Sequence, residues 1–117
     1  HYYTRIAHMN KEEVELAQAL ERNRAVEFWV RNLEGNPNHA FWLPRSTGKF
    51  YPDFIAKLTD GRLLVVEYKG AHLDNDETKE KENIGKLWAN KSGNLFLMAW
   101  KRRENKDIYA QLNDVIT

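Results

Sequence analysis

Two short runs of this chain carry groups that could do chemistry: Tyr51-Pro52-Asp53-Phe54 and, one hairpin later, Val66-Glu67-Tyr68-Lys69-Gly70. Asp53 and Glu67 supply two carboxylates, hard oxygen donors of the kind that hold Mg²⁺ while leaving it waters for a substrate. Lys69 supplies an ammonium group that does not ligate such an ion but can position a water or neutralise charge on a phosphate. Together they are the set a metal-dependent phosphodiesterase requires, provided the chain brings them to one place. A cross-strand salt-bridge cluster on a solvated sheet face uses the same residue types and is the competing reading.

The spacing predicts that they do meet. Phe50–Leu58 and Arg62–Lys69 are rich in β-branched and aromatic residues and read as strands. Thr59-Asp60-Gly61 between them reads as a three-residue hairpin loop, with Gly61 where a left-handed residue is wanted. Leu58 then pairs with Arg62, and the ladder continued sets Asp53 opposite Glu67; a two-residue loop would instead move Asp53 one step out of register, and Gly61 at the third loop position favours the first arrangement. Strand alternation places Lys69 on the same face. Carboxylates so placed repel unless a cation or a proton lies between them. The apolar run Leu63-Leu64-Val65-Val66 predicts a strand covered on both faces, where a following charge is costly without a role.

The elements that must position this hairpin are read from capping and periodicity. Asn10-Lys11-Glu12-Glu13 forms a capping box, with Glu13 reaching back to Asn10, and predicts a helix to about Leu33 stopped by Gly35-Asn36-Pro37. Its apolar positions are Val14, Leu16, Leu20, Val26, Trp29, Val30 and Leu33. The stripe shifts near Asn23-Arg24, which leaves a kink or two short helices open. Residues 39–44 suggest a short strand, followed by a turn over Arg45-Ser46-Thr47-Gly48-Lys49. A second helix is expected from about Asp76 to Lys91, with Ile84, Leu87 and Trp88 on its apolar stripe and Ser92-Gly93 ending it. Leu95–Trp100 is a fully apolar strand, and a last helix from about Lys106 to Ile116 presents Ile108, Leu112 and Val115. The order helix, three strands, helix, strand, helix predicts an α/β domain with a mixed sheet between helices.

Bulk properties narrow the class. At 117 residues the chain fits one domain, and 42% hydrophobic with 30% charged residues is a globular composition. No apolar run approaches the ~20 residues of a membrane span. The absence of cysteine excludes disulfides and thiolate metal sites and fits a reducing, cytoplasmic setting. A net charge of +1 argues against a protein that coats DNA, but not against an enzyme with acidic ligands in its site. The start at His1 without an initiator Met suggests a domain cut from a longer protein.

Other basic residues are candidates for substrate contact. Arg45 and Lys49 flank the turn before Asp53. Lys79, Lys81 and Lys86 on the second helix could meet phosphates or pair with Glu77, Glu80 and Glu82; Lys86 is the preferred candidate. Lys101-Arg102-Arg103 could meet a duplex backbone or be plain surface. The histidines show no His-x-x-x-His spacing, though His72 follows the Glu-x-Lys run closely. The four tryptophans are expected in the core rather than as base-stacking platforms.

Phe41-Trp42-Leu43-Pro44, Gly48-Lys49-Phe50-Tyr51-Pro52-Asp53-Phe54 and Asp60-Gly61-Arg62-Leu63-Leu64-Val65-Val66-Glu67-Tyr68-Lys69-Gly70 together resemble the PD-(D/E)XK nuclease superfamily. Within it, they look most like the endonuclease domain at the C-terminal end of type III restriction enzyme Res subunits and related helicase-nuclease proteins. The likeness spans nearly half the chain, and the predicted order matches that superfamily's αβββαβ core. It implies a restriction-endonuclease-like three-layer α/β/α fold with a C-terminal helix added. It also implies a Mg²⁺-dependent endodeoxyribonuclease, with Mn²⁺ as a substitute, that cuts double-stranded DNA to leave a 5′-phosphate. Asp53 and Glu67 then resemble the metal-ligating carboxylates, the Tyr68 carbonyl a further ligand and Lys69 the catalytic lysine. The family often adds a glutamate on its first core helix; Glu27, seven residues after Leu20, is the candidate, with Glu21 and Glu34 competing. The implied partners are DNA, a helicase or ATPase region of the same polypeptide, and a modification subunit. No Walker-type loop occurs in this sequence. The alternative is a nuclease-fold module that binds DNA in such a complex without cutting it.

Overall fold

The structure, a computed structural model, describes residues 10–33, 40–70 and 75–117. Helix α1 (Lys11–Arg22) starts at Asn10, whose side chain accepts the Glu13 N–H at 2.8 Å as an N-cap should. Glu13 does not complete the capping box, because its carboxylate lies 3.0 Å from Arg31 instead. Nor does the helix run on to Leu33. It ends at Arg22, and the Asn23 side chain accepts the Ala25 N–H at 2.9 Å to turn the chain. The next residues form strand β1 (Val26–Arg31), since β-branched and aromatic side chains suit a pleated surface. The shift in the apolar stripe at Asn23-Arg24 is this helix-to-strand boundary.

Strands β2 (Leu43–Arg45) and β3 (Gly48–Phe50) make a small hairpin of their own across Ser46-Thr47. The strand expected over residues 39–44 thus begins only at Leu43, and His39 lies outside the described residues. The single strand expected from Phe50 to Leu58 is broken over residues 51–53, with Pro52 unable to donate to a ladder, and resumes as β4 (Phe54–Leu58). β4 pairs antiparallel with β5 (Leu63–Gly70) across Thr59-Asp60-Gly61, where Gly61 takes a φ of 94°. The pairs Phe54↔Val66, Ile55↔Val65, Ala56↔Leu64 and Lys57↔Leu63 are the register the loop predicted. Helix α2 (Asp76–Ser92) is capped by Asn75 and ended by Gly93 at a φ of 77°. β6 (Leu95–Trp100) runs parallel to β5, and α3 (Ile108–Ile116) follows its Asp107 N-cap.

The main sheet has the order β1-β4-β5-β6 and is mixed, with helices on both faces. On one face Leu16 and Leu20 of α1 and Ile108 and Leu112 of α3 bury Trp29, Phe54, Leu64 and Val66. On the other, α2 and the β2–β3 hairpin cover Val65, Phe96 and Met98, with Phe50 and Phe96 edge to face at 6.1 Å. Four residues expected inside are outside: Val30 and Leu33, 42% and 54% exposed in β1 and just past its end, and Leu87 and Trp42. Leu87 is 56% exposed, because the stripe that meets the sheet runs through Ile84 and Trp88. Trp42 is 44% exposed on the hairpin, under the Lys49 ammonium at 4.5 Å. Trp29 and Trp100 are buried and Trp88 half-buried, as expected.

Helix α2 lies unusually close to the sheet at Gly85, where a Cβ would stand 2.5 Å from the Phe96 ring. Gly85→Ala would gain about 1 kcal/mol of helix propensity. It must also displace a buried ring, which costs about 1–3 kcal/mol. Urea unfolding is expected to show a net loss of stability; a gain would mean that α2 can withdraw from β6 freely.

Candidate active site

The antiparallel β4–β5 pair brings the start of β4 beside the end of β5. Asp53 lies one step before Phe54, so the ladder continued sets it against Glu67. Its Oδ2 accepts the Tyr68 N–H at 2.7 Å, so the carboxylate itself extends the pairing past the last backbone rung. Asn32, just after β1, holds this segment in place. Its side-chain amide donates to the carbonyls of Phe41 (2.7 Å) and Pro52 (2.8 Å) and accepts the Phe41 N–H (2.8 Å). Its backbone N–H donates to the Asp53 carbonyl at 2.8 Å. Nothing in the sequence marks Asn32, because its partners lie far along the chain.

Alternation along β5 turns Val66 and Tyr68 towards α1, and Val65 and Glu67 towards α2; the register with β6 breaks at Lys69, and its contact with Glu67 and its pull on Glu77 put its ammonium on the α2 side. Glu67 is only 7% exposed, and Lys69 Nζ lies 3.5 Å from its Oε2. Burial, then the neighbouring Asp53 charge, pushes the Glu67 carboxyl up to about 8, against the pull of Lys69 and Lys81. Its Oε1 is buried and accepts no hydrogen bond among the described residues, although a protonated Glu67 carboxyl lies close enough to Asp53 to share its proton with it. Beyond this pair the charges alternate: Lys81 sits 3.3 Å from Glu77 and over the Phe50 ring at 5.4 Å, and Arg45 sits 3.7 Å from Glu77 and 2.8 Å from Glu80. Lys81 and then Arg45 hold Glu77 below the usual carboxylate range, and Ser46 and Arg45 do the same for Glu80.

The structure therefore gathers Asp53, Glu67, Tyr68 and Lys69, and separates other candidates from them. Glu27 is not on a helix. It is the extra residue of a β-bulge in β1, exposed and 4.0 Å from Lys57. Lys57 is four residues along β4 from Asp53, about 13 Å at strand spacing. Glu21 accepts the Trp29 indole N–H at 2.8 Å, and Glu34 and His72 lie outside the described residues. Arg45 is held by Glu77 and Glu80, and serves to tie the hairpin to α2. Lys49 is exposed at the hairpin. Lys86 pairs with Glu82 at 3.7 Å along the outer edge of β6, in an open groove of about 410 Å³ with Met98 and Arg103. Lys81 is the lysine of α2 whose charge reaches Glu67.

Two carboxyls side by side, one with an unpartnered buried oxygen, fit a hard divalent cation, and the Tyr68 carbonyl is adjacent in sequence. Among the described residues no group of three or more His, Cys, Asp or Glu side chains could hold a metal, so an ion here would keep several waters. No protein-family model, curated protein or solved structure matches the chain.

Two outcomes follow from this geometry. Asn32→Ala removes three partly buried hydrogen bonds and strands the Phe41 and Pro52 groups; a loss of about 1–3 kcal/mol is expected in denaturant unfolding. An unchanged midpoint would show that water replaces the amide. Metal-free, the fold keeps a proton on Glu67 up to about 8, whereas the unfolded chain releases it near 4.5. The folded state thus binds the extra proton between those values, and stability falls as pH rises through that window. The melting temperature in EDTA should drop from pH 5 to pH 8, with a shallower drop in Glu67→Gln. Equal slopes would assign the dependence elsewhere.

Proposed function

We propose that this chain is a Mg²⁺-dependent endodeoxyribonuclease domain of the PD-(D/E)XK superfamily, with the restriction-endonuclease-like fold. In this reading it is the cleavage module of a type III restriction enzyme or a helicase-nuclease. The observation that carries the reading is Glu67: a buried carboxyl with one unpartnered oxygen, beside Asp53 and 3.5 Å from Lys69. A cross-strand salt bridge on a solvated face has no reason to bury its acid. The element order α1, β1, β4, β5, α2, β6, with β6 parallel to β5, also supports the reading, although β1 rather than the β2 region fills the first strand position.

In this mechanism Asp53 and Glu67, with the Tyr68 carbonyl, would hold Mg²⁺, which lowers the pKa of a bound water and polarises the phosphate. Asp53 is presented by the Tyr68 N–H, which fixes its orientation before substrate arrives. Lys69 stands on the same face of β5 as Glu67 and orients the attacking water or neutralises the phosphate oxygen as it gains charge. Lys81 offsets the negative charge from the α2 side. Water would attack phosphorus and release a proton to the surrounding solvent as the new P–O bond forms, the P–O3′ bond would break, and the leaving O3′ would take up a proton from solvent, leaving a 5′-phosphate.

Two observations favour the non-cleaving alternative. Asp53 Oδ2 already accepts a backbone N–H, and no third acidic side chain joins the pair among the described residues.

Asp53→Asn separates the two. An asparagine oxygen can still accept the Tyr68 N–H while the charge is gone, so this variant should fold with undiminished stability. It should lose Mg²⁺-dependent cleavage of duplex DNA by roughly 100-fold or more, as should Lys69→Ala. Mg²⁺ should also raise the melting temperature of the unchanged chain by a few degrees, roughly, and not that of Asp53→Asn. Cutting by Lys69→Ala at the normal rate would sink the mechanism. Absence of any Mg²⁺ or Mn²⁺ effect on melting would favour the non-cleaving module.

A further inference from the structure

We propose that the tight basic turn after β6, Lys101 to Lys106, grips the phosphate backbone of duplex DNA beside the carboxylate pair. The nuclease reading enters here only in the choice of duplex DNA as the polyanion. β6 runs parallel to β5 with Glu67 against Met98 and Gly70 against Trp100. Lys101 therefore leaves the sheet one strand, about 4.8 Å, from the end of β5 that carries Lys69. A backbone whose phosphate lay at Glu67 and Lys69 would run its neighbouring phosphates past this turn.

The turn is built rather than loose. Arg103 N–H donates to the Lys106 carbonyl at 3.0 Å and Lys106 N–H to the Arg103 carbonyl at 2.9 Å. Between them Glu104 and Asn105 take φ values of 54° and 64°, left-handed conformations that cost about 1–3 kcal/mol for a residue other than glycine. The buried Gln111 side chain accepts the Trp100 N–H at 3.0 Å and donates to the carbonyls of Trp100 (2.7 Å) and Lys106 (3.1 Å), anchoring both ends on α3. Arg103 is pinned to Glu82 at 3.0 Å, and Lys106 is paired with Asp114.

What this scaffold presents is unneutralised charge. Arg45, Lys69, Lys81 and Arg103 all have a carboxylate within 4.0 Å. Among the described residues Lys101 and Arg102 have none; Arg102 Nη1 only donates to the Asn105 carbonyl at 3.0 Å, which fixes the guanidinium in place. Glu104, the turn's one acid, acts on Lys106. In a chain of net charge +1, two exposed cations with no carboxylate partner, Arg102 tied to the turn and Lys101 free to reach, at the rim of an acidic pair match a phosphate backbone.

The test compares two double variants of the full chain that lose the same charge. One is Lys101→Ala with Arg102→Ala. The other is Arg24→Ala with Lys91→Ala, two exposed cations at the opposite rim of the sheet, before β1 and at the end of α2. Binding to a fluorescein-labelled DNA duplex is followed by anisotropy in EDTA, so that no cleavage enters. The turn variant should bind about tenfold more weakly and flatten the slope of log K against log salt by about two, with the rim variant close to the unchanged chain. Equal losses in both variants, or no duplex binding by the unchanged chain, would overturn the proposal. A chain that binds DNA through this turn but never cuts it with Mg²⁺ would refute the nuclease reading and leave the turn's role standing.

Discussion

The hydrogen bond from the Tyr68 N–H to Asp53 Oδ2 is the constraint on which the site depends. The backbone ladder between β4 and β5 has its last pair at Phe54 and Val66. Pro52 has no N–H, so the chain before Phe54 cannot simply continue as a strand. The Asp53 side chain takes over where the backbone stops, and the Asn32 amide clamps the carbonyl of Pro52 behind it. A hydrogen bond to a charged acceptor is worth about 1.5–3 kcal/mol. That is enough to hold a carboxylate beside Glu67 despite their repulsion, and it sets the Asp53 orientation from the backbone.

Burying Glu67 next to that charge is unfavourable, and the surroundings answer it with cations. Lys69 comes from the same strand, while Lys81 comes from α2, which the sheet meets closely only because Gly85 leaves room for the Phe96 ring. Arg45 then ties the β2–β3 hairpin to Glu77 and Glu80, so the hairpin, α2 and β5 share one alternating run of charge. Moving any one of the three elements would unbalance the others. A raised carboxyl with an unpartnered oxygen is what remains unrelieved, and a proton or a cation relieves it equally well.

The parts legible in the sequence were those decided locally. The β4–β5 register follows from loop length, Gly61 and strand alternation, all within one hairpin, and α2, β6 and α3 follow from caps and short periodic runs. β1 was not legible, because Val26, Trp29 and Val30 fit a helical stripe nearly as well as a strand. What decides between them is pairing with β4, far along the chain. Glu27 went astray with it. Asn32 and Lys81 share the same cause: each acts through partners that only the folded sheet brings near. Trp42 reads as core because it is apolar, but the hairpin that carries it lies outside the main sheet and leaves one side open.

The mixed sheet itself explains why the candidate site's charged groups collect at one rim. β4 runs against β5, which brings the start of β4, with Asp53, to the end of β5, with Glu67 and Lys69. β6 runs with β5, because the α2 crossover returns the chain to the far rim before β6 begins. Its end, and the turn from Lys101, therefore emerge beside the same carboxylates. Had β6 followed β5 through a hairpin, it would have run antiparallel and carried Lys101 and Arg102 to the opposite rim. The choice of a helix between β5 and β6 thus does two things: it covers Val65 and Phe96, and it gathers acidic and basic residues distant in sequence at one edge.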